Sequence, residues 1–367
     1  MNNKKVLFLS LYTFGLTGGI EKVCRSVTKA LGNLNEAGSI AAHHCLSVYD
    51  TETDSRYADA VNFSGFSGKR ITFGLNSIRE GLKSDIVMLS HVNLLIFAWL
   101  IKALKPKTRV ILFAHGIEIW KPLRNWKRKF LQRKVEILAV SKYTADCIQQ
   151  KHHIEAQQIN ILNNCLDPFF EPPVTFEKPF ELMERYAISR DKKILFTLTR
   201  LSSQEQYKGY DQVLAAMKNL PENVHYIIGG KADTIEAERI KQLIVQYGLQ
   251  KRVTLTGFIA DEEITGHYLL ADIYVMPSKA EGFGISFIEA SACGCKVIAG
   301  NQDGSSAALL NGALGTLIDP NDSAQLQSAI LEALELPASP LLQQEKTLAH
   351  FSFSHYQHKL HQLLTHS

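Results

Sequence analysis

Three observations predict an α/β protein of two domains. Short runs rich in Val, Ile, Leu and Phe alternate with helical patterns along the whole chain. Most of these runs are apolar on both faces, as in a parallel sheet covered on two sides. The rhythm breaks once, at LDPFFEPPVTFEKPF (166–180), where four prolines in fifteen residues exclude regular structure. A length of 367 residues also exceeds one ordinary core and suits two.

The first domain is expected over 1–170 and the second over 171–345, with a terminal helix over 346–367. In the first half the predicted strands are VLFLSL (6–11), DIVMLS (85–90), RVILFA (109–114), EILAVS (136–141) and INILNN (159–164). In the second half they are ILFTLT (194–199), VHYIIGG (224–230), RVTLTG (252–257), DIYVMP (272–277), KVIAG (296–300) and GTLID (315–319). An amphipathic helix is expected from near Ile20, and another from Ile285. The terminal helix rests on the spacing of Leu348, Phe351, Leu360 and Leu364.

Composition narrows the function classes. Hydrophobic residues make up 46% and charged residues 21%, ordinary for a globular protein. No apolar run is long enough for a membrane span. The start MNNKKVLFLS reads as a first strand, since no small-residue cleavage site follows. A net charge of +4 is too small to argue for nucleic acid, and no zinc-finger or RNA-binding signature occurs. Six scattered cysteines without a CxxC pair read as small buried residues in a reducing, cytoplasmic compartment.

Four stretches carry candidate chemistry. In TFGLTGGIEK (13–22), Gly18 and Gly19 open a helix whose backbone N–H groups suit an anion or a closely approaching sugar. A plain tight turn accounts for them equally well. His115 of FAHGIEIW follows a strand, where it can donate a hydrogen bond or move a proton, with Glu118 as a weaker companion. Arg200 and Lys208 border the first strand–helix loop of the second half, where two cations can neutralise a diphosphate. In AEGFGISFIEA, Glu281 precedes the turn Gly282-Phe283-Gly284, a helix opens at Ile285, and Glu289 lies on it. Turn and helix N–H groups suit a phosphate, and a carboxylate accepts two hydrogen bonds from a sugar diol.

These residues, in this order, resemble the GT-B retaining glycosyltransferases of family GT4 over nearly the whole chain. EGFGISFIEA matches the E-x7-E motif, and GGIEK, the histidine of FAHG, Arg200 and Lys208-Gly209 fall where the family has counterparts. The resemblance implies two Rossmann-like domains facing each other across a cleft, with the terminal helix returning toward the first. It implies acceptor binding by the first domain and nucleotide-sugar binding by the second. Gly18 and Gly19 would close over the donor diphosphate, and His115 would contact the donor sugar. Arg200 and Lys208 would hold the diphosphate. Glu281 would bind the transferred hexose, Phe283, Gly284 and Ile285 would offer N–H groups, and Glu289 would bind the ribose. Family members typically need no metal or other cofactor. The chain departs from the family in reading TRL for GRL, in the added SSQEQY between Arg200 and Lys208, and in GGK at 229–231. The loop GNQDGSSAAL (300–309) is similar to a subgroup from bacterial polysaccharide pathways.

The expected reaction is hexose transfer from a GDP-mannose or UDP-glucose type donor to a lipid-linked or polysaccharide acceptor in cell-surface glycan synthesis. Another GT-B activity, such as an epimerase or phosphorylase, and a non-catalytic sugar-nucleotide binder remain as alternatives. The segment WKPLRNWKRKFLQRK (120–134) is dense in Lys and Arg, with Trp120, Trp126, Phe130 and Leu131 interleaved. Read as one helix, it suits the anionic inner face of the cell membrane; an ordinary amphipathic helix with solvated charges and a stripe for a phosphate-rich acceptor are the alternatives. His350, His355, His358, His361 and His366 near the end read as a solvated face rather than a metal site.

Overall fold

The computed structural model describes residues 4–365, so His366 lies outside the described residues. The chain divides into two units. One holds the chain up to Phe170 together with the stretch from Phe351; the other is Glu171–His350.

In the first unit seven strands form one sheet, paired in parallel: β1 (Lys5–Ser10), β2 (Ala42–Ser47), β3 (Phe63–Gly65), β4 (Ile86–Leu89), β5 (Arg109–Ala114), β6 (Glu136–Ala139) and β7 (Ile159–Ile161). Their order is β3-β2-β1-β4-β5-β6-β7, reversing direction at β1. β4 is buried along its whole length, and its neighbours β1 and β5 are buried past their first residues, which is why they read as continuous apolar runs. β2 and β3 add two strands to those read from sequence. β2 is AHHCLS, whose paired histidines conceal it; His43 is buried in the sheet, on the same face as the buried Cys45.

In the second unit six parallel strands run in the order β10-β9-β8-β11-β12-β13. They are β8 (Lys193–Leu198), β9 (Val224–Gly229), β10 (Val253–Gly257), β11 (Ile273–Met276), β12 (Lys296–Gly300) and β13 (Thr316–Ile318). Here direction reverses between β8 and β11, the switch point where open sheets bind ligands beyond the strand ends. The core on one side collects Leu195, Val213, Tyr226, Ile240, Ile273 and Ile330.

Two expectations need correction. The segment 120–134 is not one helix. A short helix, Ile117–Trp120, ends before Pro122, and a second runs Asn125–Lys134. Lys121 turns extended, as the residue before a proline must. Trp120, Phe130 and Leu131 are buried, so of the four interleaved apolar residues only Trp126 is exposed. The single terminal helix is two helices, Pro340–Phe351 and Phe353–Thr365, parted at Ser352. The second of these packs in the first unit, where Asn33 donates to Gln357 at 2.7 Å and Arg109 donates to the carbonyls of Leu363 and Leu364.

Candidate functional site

In the second unit the predicted residues gather beyond the C-terminal ends of β8 and β11. Lys208 pairs with Glu281, and Arg200 pairs with Glu205, which lies in the added segment before Lys208. Tyr207 sits among all four. Burial pushes its hydroxyl pKa up to about 12, and the charges of Lys208, Glu205, Glu281 and Arg200 all reach it. Burial works against the Lys208 ammonium, but Glu281, with Tyr207 beside it, outweighs that cost and raises its pKa. Lys208 is placed by Gly209, whose φ of +77° suits glycine and where a Cβ would overlap the carbonyl of Pro277 at the end of β11.

The loop after β11 folds as a tight turn. Gly284 has φ +88° and opens the helix Ile285–Ala292, where it leaves no side chain over the first N–H groups. Phe283 is buried beneath the turn. The turn is locked from the next loop: the Glu281 N–H donates to Asp303 Oδ2 at 2.6 Å, and the Gly304 N–H donates to the Glu281 carbonyl at 2.8 Å. Burial raises the Asp303 pKa to about 6. Glu289 lies inside the unit, 4% exposed, and accepts a bond from the Tyr268 hydroxyl at 3.1 Å. The two glutamates thus occupy different environments, one in the charged cluster and one in the core.

In the first unit the candidates lie beyond the ends of β1, β4 and β5. Gly18 caps the helix Gly19–Glu36 in extended conformation. The loop before it is held by the buried Asp50, which accepts the N–H groups of Thr13 (2.6 Å), Phe14 (3.2 Å) and Gly15 (2.7 Å). His115 donates from Nε2 to the carbonyl of Ser90 at 3.0 Å, since a carbonyl can only accept. Neutral His115 therefore carries its lone pair on Nδ1, which is buried and has no hydrogen-bond partner among the described residues. Burial lowers the His115 pKa; Glu118, the Ser90 carbonyl and Glu21 pull the other way without reversing it. Glu118 accepts the backbone N–H of His115 at 2.6 Å and of Gly116 at 3.1 Å, so it holds the loop that carries the imidazole.

Sequence reasoning missed Asp50, Glu205, Tyr207, Tyr268 and Asp303. Two had a visible signal. Glu205 is an acid set between two cations, and Asp303-Gly304 follows a predicted strand in the loop position of an open sheet. Among the described residues no group of three or more His, Cys, Asp or Glu side chains could hold a metal ion.

Residues 17–169 match the model of Glycosyltransferase Family 4, and residues 180–349 match that of Glycosyl transferases group 1. The chain is 30% identical over 167 residues to the GDP-mannose-dependent alpha-(1-6)-phosphatidylinositol monomannoside mannosyltransferase of Mycolicibacterium smegmatis, covering 42% of each chain. It is 24% identical over 217 residues to the alpha-D-kanosaminyltransferase of Streptomyces kanamyceticus, covering 59% of this chain and 55% of that one. The chain thus spans about half, or less, of the length of these curated relatives. The fold superposes on Anabaena HepE, solved in complex with UDP and glucose, with a TM-score of 0.78 at 18% identity, over 99% of this chain and 100% of that one. The two family models fall one on each half of the chain, each over a parallel sheet with its own switch point, and the chain belongs to the GT-B glycosyltransferases of family GT4.

Proposed function

We propose that this protein is a retaining, metal-independent hexosyltransferase that takes a hexose from a nucleoside-diphosphate sugar. The observation that carries this reading is the cluster of Arg200, Lys208 and Glu281 beside the uncapped helix at Ile285. Two cations and a helix N-terminus supply positive charge where the departing diphosphate gains negative charge. Glu281 supplies acceptor oxygens for hexose hydroxyls, and Glu289 for the ribose. In the first unit the buried His115 Nδ1 lone pair offers an acceptor for a sugar hydroxyl. Gly18 and Gly19 offer backbone N–H groups to the diphosphate.

The donor is of the GDP-mannose or UDP-glucose type: one relative is named for GDP-mannose, and one solved structure of like fold holds UDP and glucose. The acceptor is a lipid-linked or polysaccharide glycan, and the protein works at the inner face of the cell membrane. Lys121, Arg124 and Lys129 are exposed, with Trp126 beside them, which supports electrostatic attachment. Among the described residues no helix is long and apolar enough to cross a membrane.

Calorimetric titration with UDP-, GDP- and ADP-sugars, followed by NMR of the anomeric centre of the product, tests the reading. Binding of one donor and a product with the donor's anomeric configuration is expected. Binding of no nucleotide sugar refutes the proposal; an inverted product refutes retention. Binding without turnover against any glycan acceptor makes the protein a sugar-nucleotide binder.

A further inference from the structure

The segment Ser202–Tyr207 is pinned rather than loose. Ser203 donates its N–H and hydroxyl to Asp233 Oδ2 at 2.7 and 3.0 Å, and Gln206 donates to Glu236 Oε2 at 3.0 Å. Asp233 caps the helix Thr234–Gln246, and Glu236 is fully buried on it, where it also accepts from Tyr210 and Arg239. Within the segment, the Glu205 N–H donates to Ser202 and the Glu205 carbonyl accepts from Lys208 at 3.1 Å. The Lys279 N–H closes the far end on the Tyr207 carbonyl at 2.9 Å.

Glu205 is therefore set in place by its own backbone and by that helix. Its side chain is 19% exposed, whereas that of Arg200 is 70% exposed. Of the two partners the carboxylate is the one fixed by its own backbone, and the guanidinium is the one more open to solvent. An ion pair with so exposed a partner is weak. A diphosphate offering two oxygens to a guanidinium fork is the stronger partner. Resting on the assignment of Arg200 to the donor diphosphate, we propose that Glu205 is an internal stand-in for that diphosphate. It holds Arg200 while the site is empty, and the donor displaces it, so Glu205 sets nucleotide affinity by competing for the guanidinium.

Removing a competitor tightens binding, the reverse of what loss of a binding residue does. The test is calorimetry of the full chain with UDP and with GDP, at low and high salt. It compares the unaltered protein with Glu205→Gln, Glu205→Ala, Arg200→Ala, Lys208→Ala and the Arg200→Ala/Glu205→Gln double variant. Both Glu205 variants are expected to bind the preferred diphosphate about two- to fivefold tighter. The gain should shrink at high salt and vanish in the Arg200→Ala background. If Arg200→Ala weakens binding and the Glu205 variants show no gain, Glu205 is not a competitor and the inference falls alone. If Arg200→Ala and Lys208→Ala both leave affinity unchanged, the site assignment itself falls, and the inference with it.

Discussion

The Tyr268 hydroxyl meets Glu289 Oε2 at 3.1 Å, with the tyrosine fully buried and the carboxylate nearly so. If Glu289 binds the ribose as proposed, it does two jobs, and they are separable. Glu289→Ala leaves the Tyr268 hydroxyl without this acceptor, costing about 1–3 kcal/mol of stability, seen as a lower melting temperature. It should also weaken free UDP or GDP, which carry the ribose. Tyr268→Phe should shift stability with little change in nucleotide affinity. Equal nucleotide affinity in unaltered protein and Glu289→Ala would remove the ribose role.

Glu281 and Lys208 form a single charge-compensated pair, so their variants should behave oppositely toward free nucleotide. If Lys208 holds the diphosphate as proposed, Lys208→Ala removes a charge-assisted contact, and affinity should drop about tenfold or more. Glu281→Ala should leave affinity for free UDP or GDP intact or slightly raised, because Lys208 is released. Turnover should collapse, since the hexose is no longer held in a reactive pose. His115→Ala should follow Glu281→Ala. Calorimetry beside steady-state kinetics reads both, and a Glu281→Ala variant unable to bind free nucleotide would reverse the assignment.

Asp303 makes stability depend on pH near neutrality. Burial raises its pKa from 3.8 to about 6, so the fold favours the protonated form. Its contribution is fully present below 3.8 and is lost as pH rises through about 6. Against Asp303→Asn, the unaltered protein should lose about 2 kcal/mol between pH 4 and pH 7 and then level off. Parallel chemical denaturation of both proteins across that range checks the sign; a constant difference would show that Asp303 titrates normally.

Vesicle binding should depend on charge alone. Because Phe130 and Leu131 face inward, the segment offers a membrane chiefly the charges of Lys121, Arg124, Lys127, Lys129, Arg133 and Lys134, with the Trp126 ring. Binding to anionic vesicles should fade as salt rises, and charge reversal at Arg124, Lys127 and Lys134 should abolish it without unfolding. Salt-insensitive partitioning, or equal binding to neutral vesicles, would contradict this.

Strands buried on both faces were the legible part of the fold, because burial forces unbroken apolar runs such as VLFLS and IVML. β2 escaped because His43 and Ser47 take buried places that tertiary packing grants and local pattern does not. β3 has three residues, too few for any periodicity. The broken helix at 121–124 was written in Pro122, but the spacing of aromatic residues across it suggested continuity. In the site, motif order marked Arg200, Lys208, Glu281 and Glu289. Which carboxylate each cation would meet depends on loops brought together by the sheet. Asp303 and Glu205 therefore stayed out of view.

The break at Ser352 has a consequence for synthesis. The first unit is assembled from two separate stretches of the chain, one up to Phe170 and one from Phe351, with Glu171–His350 inserted between them. A ribosome delivers its seven strands first, yet the helix that receives Asn33 and Arg109 arrives only after the whole inserted unit has been made. The nascent first unit must wait, unfinished, with the surface meant for Tyr356, Leu360 and Leu364 still uncovered. A chain cut after His350 should retain a foldable insert but carry a first unit in need of a chaperone. Supplying Phe353–Thr365 as a separate peptide should restore it.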